Sequence, residues 1–211
     1  MADLKAMAQA VERGDRNAVV QATQQALDEG VAPGTILNDG LIAGMSSIGA
    51  KFRNNEVFIP EVLIAARAMA GAMDILEPKL VETGVQPRGK VVIGTVKQDL
   101  HDIGKNLVAM MLKGGGFRVT DLGVDVAPAR FVEAAKNEQT QILALSALLT
   151  TTMPNMKEVI QAVRAGGLDG VKIIIGGAPV TQAFADEIGA DGYAPDAGSA
   201  VDLAMDMVGA A

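Results

Sequence analysis

The chain has 211 residues, 49% of them hydrophobic, with one Tyr, five Phe, no Trp, no Cys and a formal charge of -7. That composition excludes a disordered chain and a disulfide framework, and it leaves a core of Ala, Val, Leu, Ile and Met with few aromatic platforms for stacking bases. Met1 to Arg88 carries 8 basic and 11 acidic residues and the remainder 10 and 14, so neither half is a basic nucleic-acid-binding or lipid-binding module.

In chain order, the first 80 or so residues read as helical. Two short amphipathic stretches, Ala2 to Glu12 and Arg16 to Leu27, come first, with Asp15 placed to cap the second. Gly30 closes that helix and Pro33 suits the first turn of a third, expected to run unbroken to about Phe52. A fourth begins near Pro60 and continues toward Leu80. Four helices with short connections predict a small all-α four-helix bundle over residues 1–88. Thr83 to Gly89, rich in Gly and Pro, is the expected linker.

Beyond it the period changes. Lys90 to Thr95, Arg118 to Leu122, Gln141 to Leu145 and Val171 to Ile175 are short β-prone runs. Helical stretches follow near Ile103 to Leu112, Pro128 to Lys136, Pro154 to Arg164 and Thr181 to Ile188. Gly192-Tyr193 marks a fifth short strand before a last helix from about Ser199 to Val208. Continuous apolar strands alternating with helices predict a parallel five-stranded α/β sheet over residues 89–211. The opening Met-Ala-Asp-Leu-Lys has no signal-like apolar region and no apolar run reaches membrane-spanning length, so a cytoplasmic protein is expected.

Loops after strands hold the chemistry. The chain's one histidine, His101, lies in Asp99-Leu100-His101-Asp102-Ile103-Gly104, after the first strand, where an open α/β sheet keeps its ligand site. One imidazole without cysteine cannot build a soft-metal cage, but it can give one axial ligand to a metal already held by four equatorial nitrogens. Either Asp99 or Asp102 can accept the proton on the ring nitrogen facing away from such a metal. The third strand ends in Ser146-Ala147-Leu148-Leu149-Thr150, whose hydroxyls either bond to backbone or line a pocket, and the fourth ends in Gly176-Gly177. Phosphate-loop, dinucleotide and serine-elbow motifs are missing, which weighs against nucleotide hydrolysis, dinucleotide binding and serine-nucleophile chemistry.

Asp99-x-His101-x-x-Gly104, then Ser146-x-Leu148, then Gly176-Gly177 resemble the three-part signature of cobalamin-binding domains of the methionine synthase type. Ile48-Gly49-x-x-Phe52 and Glu56-Val57-Phe58-Ile59-Pro60-Glu61 resemble the helical cap that precedes such domains. In size and layout the chain is similar to small corrinoid proteins of methyltransferase systems.

That resemblance implies a Rossmann-like (flavodoxin-like) sheet and a cobalamin or related corrinoid cofactor, as methylcobalamin or hydroxocobalamin. His101 would be the axial cobalt ligand, Asp99 would hold its distal nitrogen, and Ser146 would extend or support that network. Asp102, Ile103 and Gly104 would lie against the cofactor, and its displaced nucleotide tail would pass Ser146, Leu148, Thr150, Gly176 and Gly177. Helices near Phe52 and Phe58 would cover the upper face, with the linker as hinge. The resemblance implies a methyl-carrier subunit of a cobalamin-dependent methyltransferase system, in one-carbon metabolism of the methanogenic or acetogenic kind, and not an autonomous enzyme. Cobalt(I) would accept a methyl group and methylcobalt(III) would pass it on. The implied partners are a donor-specific methyltransferase (methanol, methylamine, methyl sulfide or aryl methyl ether class), an acceptor methyltransferase and a reductive activator. A corrinoid-sensing regulator, a mutase-type corrinoid domain and a module for another small ligand are the alternatives.

Overall fold

Asp3 starts the first helix: its carboxylate accepts from Ala6 N at 2.9 Å, so α1 spans Leu4–Glu12 and begins two residues later than the apolar pattern predicts. The computed structural model describes residues 2–209. Asp15 caps α2 (Arg16–Asp28) in the same way, accepting from Ala18 N at 3.0 Å.

The third helix differs from the predicted unbroken α-helix. It consists of α3 (Pro33–Thr35), a π-helical segment (Ile36–Ile42) and α4 (Ala43–Arg53). Its side chains give the reason. Ile36 and Leu41, and Leu37 and Ile42, lie five residues apart and all four are buried, so a widened turn keeps both pairs on the inward face, where α-helical spacing would rotate one member outward. Asn38 Nδ2 donates to Gly34 O at 2.9 Å where the helix widens. Helix α5 (Ile59–Glu82) starts with Pro60 in its first turn and Glu61 reaching back to accept from Phe58 N at 3.1 Å. Contacts pair α1 with α4 and α2 with α5 around buried Met7, Val11, Val19, Ile48, Val62 and Leu76.

Contacts gather the described chain into two units. One comprises the stretch up to Pro87 together with residues 113–116, and the other comprises residues 88–112 with those from 117 onward.

The second unit alternates β1 (Lys90–Thr95), α6 (Ile103–Gly114), β2 (Arg118–Asp121), α7 (Pro128–Asn137), β3 (Ile142–Ser146), α8 (Pro154–Ala165), β4 (Lys172–Gly176), α9 (Gln182–Ile188), β5 (Gly192–Tyr193) and α10 (Ala197–Val208). The last helix starts before Ser199 because Asp196 caps it, accepting from Ser199 N at 2.8 Å. All strands are parallel, in the order β2-β1-β3-β4-β5, the flavodoxin-like arrangement in which the order of strand addition reverses between β1 and β3. Leu143, Ile173, Phe131 and Met156 are fully buried, each contributing on the order of 1.5–3 kcal/mol of transfer free energy. Register aligns Thr95 with Ser146 and Ser146 with Gly176. Three motif-bearing loops therefore leave one edge of the sheet side by side, at its carboxyl end. Among the described residues no helix is long and apolar enough to cross a membrane.

Candidate functional site

Asp99 follows β1 and is completely buried. One oxygen, Oδ1, faces His101, accepting from ring Nδ1 at 2.6 Å and from the His101 backbone N at 3.1 Å. The other, Oδ2, accepts from Leu148 N at 2.8 Å, Leu149 N at 3.3 Å and Thr152 Oγ1 at 2.7 Å, all in the loop after β3. Thr152 Oγ1 also lies 2.9 Å from Leu149 O, but a hydroxyl has one proton and the charged acceptor takes it. Burying a carboxylate costs several kcal/mol, and these donors, each worth about 1.5–3 kcal/mol, offset that cost. Burial pushes the Asp99 carboxyl up, yet donation from Thr152, Leu148 and His101 outweighs it and holds the group well below its ordinary value.

An ionised Asp99 can only accept, which fixes the neutral imidazole with its proton on Nδ1 and a lone pair on Nε2. The His101 side chain is 48% exposed. Thr95 Oγ1 donates to His101 O at 2.8 Å, tying the following residues back to the end of β1. Leu100 and Ile103, within two residues of His101 in the chain, are 72% and 77% exposed, and Leu148 and Leu149, whose backbone N–H groups bind Asp99, are 42% exposed. Exposed aliphatic side chains around an outward lone pair suit a broad planar ligand that brings its own metal. Among the described residues no group of three His, Asp or Glu could hold a metal ion by itself.

Of the two carboxylates adjacent to the histidine in sequence, only Asp99 engages it. Asp102 turns away, accepting from Asn106 Nδ2 at 3.0 Å and, through its carbonyl, from Asn106 N at 2.7 Å. Ser146 does not extend the histidine network. Its carbonyl accepts from Val96 N at 3.0 Å, and the hydroxyl on Asp99 belongs to Thr152. Thr150 is exposed on the same loop.

The glycines divide. A Cβ on Gly177, whose φ is +134°, would lie 1.8 Å from Ala147 O, so the close approach of the loops after β3 and β4 by itself requires glycine there. A Cβ on Gly176 would lie 3.1 Å from Ala194 O. Gly104 has open space where its side chain would be, and nothing in the chain demands glycine.

Four residues to which the sequence assigns no site role belong to this edge: Leu100, Leu149, Thr152 and Lys105. Lys105 is buried, pairs closely with Asp121 and donates to Asn106 Oδ1 at 2.7 Å. The Gly104-Lys105 pair invites a phosphate-loop reading, and only the failure of that motif was legible.

A buried carboxylate orienting a single outward imidazole, at the switch point of a parallel sheet and amid exposed aliphatics, defines a protein that binds a flat, metal-carrying cofactor. The family models agree: B12 binding domain models match residues 89–202 and residues 3–77. The chain is 39% identical over 213 residues to a corrinoid protein of Desulfitobacterium hafniense, covering 99% of each. It is 42% identical over 207 residues to dimethylamine corrinoid protein 1 of Methanosarcina acetivorans, covering 97% of each. Among solved structures it is similar to a chain of the methanol:cobalamin methyltransferase complex of Methanosarcina barkeri, with a TM-score of 0.86, 30% identity and coverage of 97% of this chain and 79% of that one. A cobalamin-binding protein of Desulfitobacterium hafniense gives 0.83 and 33%, covering 99% of this chain and all of the other. The chain belongs to the B12-binding family, among the small corrinoid proteins of methyltransferase systems. It is a corrinoid carrier, of the class that shuttles a methyl group to and from cobalt.

Proposed function

We propose that His101 Nε2 is the axial nitrogen ligand of the bound corrinoid, with Asp99 and Thr152 as the buried groups that orient it. The single observation carrying this reading is the 2.6 Å bond from Nδ1 to a fully buried Asp99, which leaves Nε2 as the free ring nitrogen on a half-exposed side chain. When bound, the corrinoid supplies a cobalt that takes up a methyl group and gives it up again. Leu100, Ile103, Leu148 and Leu149 shield that face from water, and Gly104 leaves room beside the ring. Asp102 borders the cofactor through its exposed carboxylate. Ser146, Leu148, Thr150, Gly176 and Gly177 flank the path of the displaced nucleotide tail; the aligned carboxyl ends of β3 and β4 support this assignment.

The partners are a donor methyltransferase and an acceptor methyltransferase. A relative matched over 97% of the chain carries a dimethylamine name and one matched over 87% a trimethylamine name, and a structural neighbour comes from a methanol:cobalamin complex. Methylamines and methanol are therefore the first donor classes to test. A reductive activator restores the chain when cobalt is oxidised.

The test is the absorption spectrum of the full chain reconstituted with hydroxocobalamin without oxygen, beside His101→Ala. Stoichiometric corrinoid with a histidine-ligated, benzimidazole-off spectrum, lost in the variant, is the expected result. An unchanged spectrum in His101→Ala overturns the ligand assignment.

A further inference from the structure

The segment carrying Asp99 and His101 is gripped from a loop that none of the motifs includes. Gln98 N donates to Asp125 Oδ1 at 2.7 Å, and Asp125 N donates to Asp99 O at 3.0 Å. Asp125 thus takes one backbone group immediately before Asp99 and one on Asp99 itself. The two residues making this grip, Gln98 and Asp125, have φ of +66° and +52°. Non-glycine residues seldom adopt that left-handed region, and bulkier ones such as Gln less readily than Asp. Two such residues bonded to each other beside the candidate ligand are strained backbone held in place by a specific contact, a combination that concentrates at functional sites. Pairing also continues past the strand ends here: Val96 bridges Val126 in parallel, and Val126 N donates to Thr95 O at 3.0 Å.

We propose that Asp125 is a positioning residue for the axial histidine: its carboxylate latches the Gln98 backbone in the left-handed turn that delivers Asp99 beneath His101. This rests on His101 being the cobalt ligand. Asp125 is exposed, so it contributes no core packing and its replacement acts on the turn. Its distance along the chain from Asp99 and His101 keeps it out of any local motif, while β2 pairing with β1 brings it alongside. Hydrogen-bond acceptance, not negative charge, is what the geometry uses, since the partner is a neutral backbone N–H.

The distinguishing variants are Asp125→Gly, which adopts positive φ freely and keeps the backbone donor to Asp99 O while deleting the carboxylate, and Asp125→Asn, which keeps an acceptor oxygen at the same reach without charge. Each full-length protein is loaded with hydroxocobalamin, reduced to cobalt(II), and read by electron paramagnetic resonance after ¹⁵N-histidine labelling. The chain's single histidine makes the nitrogen splitting unambiguous. Circular dichroism melting confirms folding. The ratio of histidine-coordinated to uncoordinated cobalt should fall about tenfold in Asp125→Gly and recover in Asp125→Asn. Equal ratios in wild type and Asp125→Gly overturn the proposal, as does an equal fall in both variants, which would assign the effect to charge. Should Asp125→Gly fail to fold, Asp125→Asn is compared with Asp125→Glu, which keeps charge and overshoots the reach; a higher ratio for Glu than for Asn overturns the latch.

Amide hydrogen exchange of the cofactor-free protein reads the latch without cobalt. Gln98 N–H should exchange about tenfold faster in Asp125→Gly than in wild type, and unchanged exchange overturns the latch by itself. A wild-type protein showing no histidine splitting would instead remove the ligand assignment on which the proposal stands.

Discussion

Thr152 Oγ1 and Asp99 Oδ2 meet at 2.7 Å across 53 residues of chain, with both side chains buried. That contact joins the loop after β3 to the loop that presents the histidine. Thr152→Val preserves shape and removes the hydroxyl, leaving a buried carboxylate short of one donor. Chemical denaturation should show a loss of about 1.5–3 kcal/mol, with Thr152→Ser within about 1 kcal/mol of wild type. Equal stability of the valine variant and wild type would deny the contact any weight.

Asp99 also sets an acid limit. Its carboxyl is lowered from the ordinary 3.8 in the folded chain, so just below that value the unfolded chain binds the proton more tightly. Stability from Asp99 is fully present above the unfolded pKa and is lost as pH falls from about 4 toward the lower folded value. Asp99→Asn has no such titration. The gap in unfolding free energy between wild type and Asp99→Asn should be widest at neutral pH and shrink as pH falls through about 4 to 3; a gap independent of pH refutes the account.

The two motif glycines should respond in opposite ways. Gly177→Ala forces a Cβ into Ala147 O at a positive φ, and thermal unfolding should show a loss of about 3 kcal/mol or more. Gly104→Ala fills open space in the first turn of α6 and should leave stability equal or raise it by up to about 1 kcal/mol. Corrinoid affinity measured on the same protein should nevertheless fall if the proposed place of the ring beside that glycine is right. Unchanged affinity would reduce Gly104 to an ordinary helix residue.

Lys105 and Asp121 form an asymmetric pair, the lysine side chain 2% exposed and the aspartate 33%. Asp121→Ala strands a buried ammonium and should cost about 3 kcal/mol, whereas Lys105→Met leaves a carboxylate that water can reach and should cost less. Urea titrations of the two variants give the order directly; the reverse order would place the stabilising charge on the aspartate side.

Strands β1, β3 and β4 stand within a residue or so of their predicted ends because strands buried on both faces read as unbroken apolar runs. Helix starts at Leu4 and Ala197 follow capping aspartates, a signal present in the sequence and overridden by apolar periodicity. The π-helical segment was not legible because the third helix is marked in the sequence by its end signals, Gly30 and Pro33, and a widened turn inside a helix adds no such signal. The pairing of Asp99 with His101 was legible through their fixed spacing. Thr152 was not, since three hydroxyls in a row offered no local reason to prefer it; only the fold of residues 149–152 turns that one toward Asp99. Asp125 was hidden more deeply, because positive φ at a non-glycine residue leaves no compositional mark.

Synthesis order gives the Asp99 clamp a further consequence. At about 5–20 residues per second, the stretch between Asp99 and Thr152 takes on the order of 3–10 s to make. During that interval Leu148, Leu149 and Thr152 are not yet available to hold the carboxylate beneath the imidazole. A nascent chain stopped short of Thr152 therefore carries the histidine and its aspartate, but not the hydroxyl that holds the far oxygen of that carboxylate.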